Sequence, residues 1–125
     1  MNIIKFSKTN ISSKDIKLVG NIIKSGWLTH GKFTQAFENK FKEYTKSKYA
    51  VSVSSCTAGL HLSCLASGFK KGDEVIIPAQ THTATAHAAE YTGAKAVFAD
   101  IDRITGNITL KEIKKKLPKI QRGWL

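Results

Sequence analysis

Apolar residues recur at two different periods along the chain, and the change of period divides it. Over residues 12–26, Ile16, Val19, Ile22 and Ile23 fall three or four apart, the spacing of one helix face. Ser12-Ser13-Lys14-Asp15 precedes them as a capping box and Gly26 follows them, which predicts a first amphipathic helix between. The stretch "GWLTHGKF" reads as a loop, and Phe37, Phe41 and Tyr44 then predict a second amphipathic helix over 34–46. The runs "YAVSV", "DEVIIP" and "KAVFADI" are continuously apolar and short, as expected of strands covered on both faces. Between them, 58–66 closed by Gly68 and 83–91 closed by Gly93 predict helices, and 109–117 predicts a last, strongly basic one. The middle of the chain therefore reads strand–helix–strand–helix–strand, an α/β fold of parallel strands joined by right-handed crossovers with helices on both faces.

That sheet is incomplete as it stands. Three buried parallel strands leave sheet edges and helix faces uncovered. The final "PKIQRGWL" reads as neither a strand nor the close of a domain. The expectation is one partial domain over 1–125, with helices and a loop over about 1–46 and the strand–helix unit over about 47–117. A frameshift, a premature stop or an incomplete gene would explain a chain that ends in mid-fold.

Composition narrows the class without choosing a function. A hydrophobic fraction of 42% and a charged fraction of 23% are ordinary for a soluble globular protein. The start, "MNIIKFSKTN", lacks the apolar core of a signal peptide, and no apolar run is long enough to span a bilayer, so a cytoplasmic location is expected. Cys56 and Cys64 on one helix would lie roughly 12 Å apart, too far for a disulfide, and two free thiols suit a reducing compartment. The net charge of +11 admits a nucleic acid, an anionic surface or an anionic small molecule as partner. Six of the basic residues fall between Lys111 and Arg122 against one acid, Glu112, while the rest are scattered lysines of the kind that solvate a helix face. A small basic binding module is therefore one reading, although no aromatic platform or nucleic-acid motif accompanies the charge.

The chemistry-bearing residues lie just after the predicted strands, where open parallel sheets bind ligands. In "SSCTAGLHL" an apolar run gives way to small and hydroxyl residues and then to a helix. Backbone N–H groups at such a helix start attract anions, and Thr57 adds a donor. The same pattern also suits a plain hydroxyl N-cap with no ligand. No GxxxxGK[ST] or GxGxxG is present, which argues against ATP and dinucleotides. The second loop, "PAQTHTATAH", brings hydroxyls and the flat ring of His82, either a partner for an aromatic ligand or an exposed loop residue. A hydroxyl-rich cup beside a flat ring suits a phosphorylated aromatic cofactor. Asp100 and Asp102 could act as an acid–base pair or could cap their own turn. No His or Cys spacing suits a metal site.

Four stretches in order, "SGWLTHGKFTQAFENKF", "YAVSVSSCTAGLHL", "GDEVIIPAQTHTATAHA" and "YTGAKAVFADID", resemble the front part of the DegT/DnrJ/EryC1/StrS family. These are sugar aminotransferases of fold type I that depend on pyridoxal phosphate. The resemblance implies the leading part of the large, cofactor-binding domain. It matches Cys56-Thr57-Ala58 to the family's Gly-Thr-Ala turn, where amides and the Thr hydroxyl hold the cofactor phosphate. His82 matches the aromatic position that stacks on the pyridine ring, and Trp27 and Thr29 lie in a loop near the active site, which makes them weaker candidates for substrate contact. By family, the reaction moves an amino group from an amino acid, glutamate in the usual case, to a nucleotide-linked keto-sugar. Such enzymes are dimers that serve lipopolysaccharide, O-antigen or antibiotic sugar pathways. Some members are sugar dehydratases, with His in place of the catalytic Lys. Neither that Lys nor the Asp that pairs with the pyridine nitrogen has a match in this chain, and no catalytic residue is assigned. The chain alone is expected to be inactive and to hold the cofactor weakly at most.

Overall fold

The computed structural model describes Ile4 and residues 6–117. Among these described residues, five helices and two strands follow one another as α1 (Ser13–Lys24), α2 (Lys32–Thr45), α3 (Cys56–Ala66), β1 (Glu74–Pro78), α4 (Thr83–Glu90), β2 (Lys95–Ala99) and α5 (Leu110–Lys116). They form two compact units, Met1–Ser52 and Val53–Leu125. The odd character of "PKIQRGWL" concerns 118–125, outside the described residues.

In the first unit, α1 starts where the capping box places it. The Ser12 hydroxyl accepts from the Asp15 amide at 3.3 Å, and the Asp15 carboxylate accepts from the Ser12 amide at 2.8 Å. Two otherwise orphaned donors are satisfied reciprocally. The Ser12 hydroxyl also donates to the Asp15 carboxylate at 2.7 Å, and this bond, followed by that from the Ser12 amide, holds the Asp15 carboxyl below its ordinary range. The apolar faces are present as expected, but they are open. Ile16, Val19 and Ile23 on α1 and Phe37 and Phe41 on α2 are all more than half exposed. Phe37 and Phe41, one turn apart, have ring centroids 6.0 Å apart.

The second unit is a β–α–β crossover with one helix before it and one after. β1 and β2 pair in parallel, Glu74 opposite Lys95 through Pro78 opposite Ala99. Backbone bonds from Lys95 to Asp73 (2.9 Å) and from Ala79 to Ala99 (2.8 Å) extend the ladder at both ends. α4 lies against both strands and against α3, and α5 lies against β2. The core at this junction is made of small side chains: Ala84, Ala88, Ala89, Ala94 and Ala99, with Ile77 the one larger member. Alanines let the helix backbone approach the sheet closely. Gly93 serves a second approach, of the turn after α4 to the turn before β1, because its φ of +86° disfavours a side chain and an added Cβ would stand 3.2 Å from the Lys71 amide nitrogen.

One expected strand is absent. Residues 49–53 are not a strand, because a strand needs a neighbour to complete its ladder and none pairs with them among the described residues. Among the described residues the parallel sheet therefore has two strands rather than three.

Candidate functional site

The turn into α3 is built by Ser55. Its backbone is extended, with φ −160° and ψ 162°, and its hydroxyl accepts from the Ala58 amide at 3.1 Å, while its carbonyl accepts from the Gly59 amide at 3.1 Å. The N-cap role that the sequence left between several hydroxyls thus belongs to Ser55. That assignment leaves the amides of Cys56 and Thr57 and the Thr57 hydroxyl without a hydrogen-bond partner among the described residues. Thr57 and Ala58 are half-buried and Cys56 is exposed. Three donors at a helix start, where the backbone dipoles present their positive end, fit an oxyanion such as a phosphate ester.

His82 sits at the start of α4 and is its N-cap. Its Nδ1 accepts from the Ala84 amide at 3.1 Å. A lone pair is needed at Nδ1 for that bond, so the neutral ring carries its proton on Nε2. The ring is exposed, but its orientation is fixed from below. The sequence singled out His82 for its flat face and missed this cap. Next to it, the hydroxyls of Thr81 and Thr85 are hydrogen-bonded to each other at 2.9 Å.

The two helix starts share one edge of the sheet. The turn that leads from α3 into β1 and the turn that leads from α4 into β2 lie together, as the approach of Gly93 to Lys71 shows. Both helices therefore end at the entry edge of the strands and pack side by side. At 1.5 Å per residue they run roughly 16 Å and 12 Å back toward the carboxyl edge. Cys56, Thr57, Ala58 and His82 are all carried at that edge, the one that binds ligands in open parallel sheets.

Trp27 and Thr29 belong to the first unit, where they line a hollow of about 720 Å³ between the end of α1 and the start of α2. The indole Nε1 donates to the His30 carbonyl at 3.3 Å. The ring lies so close to Gly31 that a Cβ there would stand 2.6 Å from two of its atoms. No motif flagged Gly31, and only its place after "TH" in a two-glycine loop hints at a contact.

Sequence reasoning also missed Glu38. Its carboxylate accepts from both the amide and the hydroxyl of Ser52 at 2.8 Å, and His30 Nε2 lies 3.9 Å away. The Ser52 amide bond, then the Ser52 hydroxyl, and last the neighbouring imidazole hold this carboxyl below its ordinary range. Asp100 and Asp102 do not form an acid–base pair. Asp100 accepts from the next amide, Ile101, at 2.8 Å. Asp102 accepts from the amides of Thr105 and Ile104 and from the Thr105 hydroxyl, at 2.8–3.0 Å, and these bonds lower its carboxyl pKa, the Thr105 amide most. It caps its own turn. Cys56 and Cys64 are free thiols. On α5, Lys115 pairs with Glu112 at 2.6 Å, while Lys111, Lys114 and Lys116 are exposed. No helix among the described residues is long and apolar enough to cross a membrane.

Comparison with known proteins agrees with the four quoted motifs and reaches beyond them at both ends. The model of the DegT/DnrJ/EryC1/StrS aminotransferase family matches residues 9–123. GDP-perosamine synthase of Escherichia coli O157:H7 is 37% identical over 118 residues, which are 94% of this chain and 32% of that protein. Among solved structures, an aminotransferase from Psychrobacter cryohalolentis superimposes with a TM-score of 0.84 at 31% identity, covering 91% of this chain and 30% of that one. The E. coli GDP-4-keto-6-deoxy-D-mannose-3-dehydratase with bound hydrated PLP does so at 0.81 and 29% identity, covering 90% and 31%. The chain spans about a third of the length of these proteins. It carries the α/β fold of fold-type-I sugar aminotransferases and belongs to the DegT/DnrJ/EryC1/StrS aminotransferase family.

Proposed function

We propose that residues 1–125 are the leading part of the cofactor domain of a pyridoxal-phosphate-dependent enzyme acting on nucleotide-linked keto-sugars. The observation that carries this reading is the set of free donors at Cys56 and Thr57, on the same sheet edge as the His82 ring. In the proposed arrangement the Cys56 and Thr57 amides and the Thr57 hydroxyl donate to phosphate oxygens, and Ala58 is small enough to admit them. The His82 ring, held by its cap bond, lies against the pyridine face. When bound, pyridoxal phosphate supplies an electron sink for chemistry at an amino-bearing carbon. Glutamate as amino donor and a dimeric, cytoplasmic enzyme complete the proposal. Trp27 and Thr29 are proposed to meet the sugar substrate.

The roles of the Lys and Asp that complete such a site are assigned to none of these 125 residues. The chain by itself is therefore proposed to be inactive. A dehydratase is the second reading, favoured by the likeness to the E. coli 3-dehydratase. No residue of these 125 is assigned to decide between the two reactions.

Titration of the chain with pyridoxal phosphate and with inorganic phosphate, followed by ³¹P NMR, and with pyridoxal as a competitor for the bound phosphate signal, tests the cup. Binding should require the phosphate, and Thr57→Val should weaken it about tenfold or more, from the loss of one hydrogen bond to a charged group worth about 1.5 kcal/mol or more. Equal binding by Thr57→Val would sink the cup. Transamination by the chain, together with a single lysine adduct trapped by borohydride in a parallel sample, would overturn the inactivity of the chain alone.

A further inference from the structure

The cap of α4 is titratable, unlike the hydroxyl caps Ser12, Ser55 and Thr109 of α1, α3 and α5. The Ala84 amide donates to Nδ1 of His82 at 3.1 Å, and the Thr85 amide donates to the His82 carbonyl at 3.0 Å. The first of these bonds exists only while Nδ1 keeps its lone pair. Imidazole side chains take up a proton between about pH 5 and 8, and the imidazolium has two donors and no acceptor. Protonation therefore removes the cap and sets a positive ring at the positive end of the helix dipole. Both effects oppose a helix of eight residues, too short to be stable alone.

The titratable groups on the elements packed against α4 are Cys56, His61 and Cys64 on α3, Glu74 on β1 and Lys95 on β2, with Asp100 just beyond β2. Glu74 and Lys95 pair with each other at 3.6 Å at the entry edge. His61 lies against Tyr91 at the far end of α4, with ring centroids 5.3 Å apart. Cys56 and Asp100 share the carboxyl edge with His82, and the Asp100 carboxylate accepts from the Ile101 amide at 2.8 Å. No ion pair reaches His82 among the described residues. On α4 itself, His87 lies 3.5 Å from Glu90 and stacks on Tyr91. A proton on His87 meets a carboxylate and the negative end of the dipole, so its effect on the helix is opposite in sign to that of a proton on His82.

We propose that His82 is a proton-operated latch on α4: the neutral ring caps the helix and is held in place by it, and protonation opens the first turn and frees the ring. The latch is set by this chain's own contacts. Its consequence for a ligand rests on the cofactor reading, under which the His82 face is presented to the pyridine ring only while the imidazole is neutral.

The test needs no cofactor. Long-range ¹H–¹⁵N NMR of the 125-residue chain reads the His82 ring nitrogens, and amide hydrogen exchange, corrected for the intrinsic rate, reads α4 between about pH 8 and about pH 5. The ring should carry its proton on Nε2 at the upper end. As it takes up the second proton, protection of residues 86–91 should fall about fivefold or more, the loss of one N-cap, with the same midpoint as the ring. The Ala84 amide proton shift gives the same reading where exchange is too fast to follow. His82→Asn should abolish the step. His87→Gln should leave it in place, and α1 should show none, because the Asp15 carboxyl of its capping box is held below its ordinary range. A ring with its proton on Nδ1 at the upper end, a ring that titrates with no change in α4, or a step that survives in His82→Asn would each overturn the latch. Failure of the phosphate cup leaves these outcomes unchanged, and loss of the latch leaves the cup standing.

Discussion

His82 is asked to do two jobs, and substitution can separate them. As N-cap it satisfies the Ala84 amide through Nδ1 at 3.1 Å. As a ring it is proposed to lie against a cofactor. α4 has only eight residues, too few to be stable as an isolated helix, yet it contributes Ala84, Ala88 and Ala89 to a core of six buried residues. Removing an N-cap side chain costs about 1 kcal/mol, which is about a fivefold change in an opening equilibrium at 25 °C. His82→Ala should therefore speed exchange of the amides of residues 86–91 about fivefold in the regime where exchange follows the opening equilibrium. His82→Asn restores a strong cap and should return those amides to near the original rate. His82→Phe keeps an aromatic face but has no acceptor, so it should exchange like the alanine variant. Cofactor affinity, measured in a chain that binds it, should rank the other way: Phe retains it, and Asn loses up to about tenfold, the worth of one aromatic contact at about 0.5–1.5 kcal/mol. Unchanged exchange in His82→Phe would show that the cap bond contributes nothing. Failure of Asn to do better than Ala would show that the loss comes from packing and not from capping.

Other consequences follow from single contacts. Gly31→Ala should swing the Trp27 indole away from the 31 backbone, because the new Cβ would otherwise stand 2.6 Å from the ring; the Trp27 indole proton resonance should shift in a Trp124→Phe background, and an unmoved resonance would refute the contact. Asp102 has its carboxyl pKa lowered by the Thr105 and Ile104 bonds, so its contribution to the turn is present above the ordinary carboxylate range, near pH 4, and is lost as pH falls through its lower folded value. Amide exchange at Ile104 and Thr105 should accelerate there beyond the intrinsic pH trend, and Asp102→Asn, which keeps an acceptor, should remove that extra step. Ser12→Ala should destabilise the first turn of α1 by about 1 kcal/mol, seen as lower amide protection at 15–18 with α4 unaffected. Glu38→Gln leaves an oxygen able to accept both Ser52 bonds, whereas Glu38→Ala does not; the Ser52 amide should stay protected in the first and exchange freely in the second.

What the sequence makes legible, and what it does not, divides along the range of the interaction. The helices are local events, and local residues announce them. Ser12 and Asp15 close a ring over three residues, and Thr109 caps α5 in the same way by accepting from the Glu112 amide. The ends of α1, α3 and α4 accordingly fall within a residue or two of where the caps and glycines predict. Strand existence is not local. "YAVSV" has the same apolar pattern as "EVIIP" and "KAVFA", but the pattern reports only what a segment would do if a neighbour were present. Two of the three find each other, and the third takes its fixed contact from a carboxylate, as the Ser52 amide donates to Glu38 fourteen residues earlier.

The site shows the same division. That a phosphate cup could form after residue 53 was visible from the hydroxyls and small residues of "SSCTA", because an N-cap is a local device. Which hydroxyl caps and which remains available was not visible, since Ser54, Ser55 and Thr57 are equivalent by type. The backbone decides it: Ser55 is extended and takes the Ala58 amide, and this frees Thr57. His82 inverts the case. Histidine is a less common cap than Ser, Thr or Asn, so the pattern pointed to its ring and not to its lone pair. The bond from Ala84 means that the ring's orientation and the stability of α4 are set by the same atom. A residue proposed to meet a ligand and also used to start a helix cannot be exchanged freely for another aromatic, because a ring without an acceptor leaves the Ala84 amide in need of a different cap. In this chain the adjacent Thr81–Thr85 hydroxyl pair is the local group through which such a replacement cap could arise. Thr81→Val should therefore leave α4 intact while His82 is present and should deepen the loss in His82→Phe, a coupling that a double-mutant cycle reads directly.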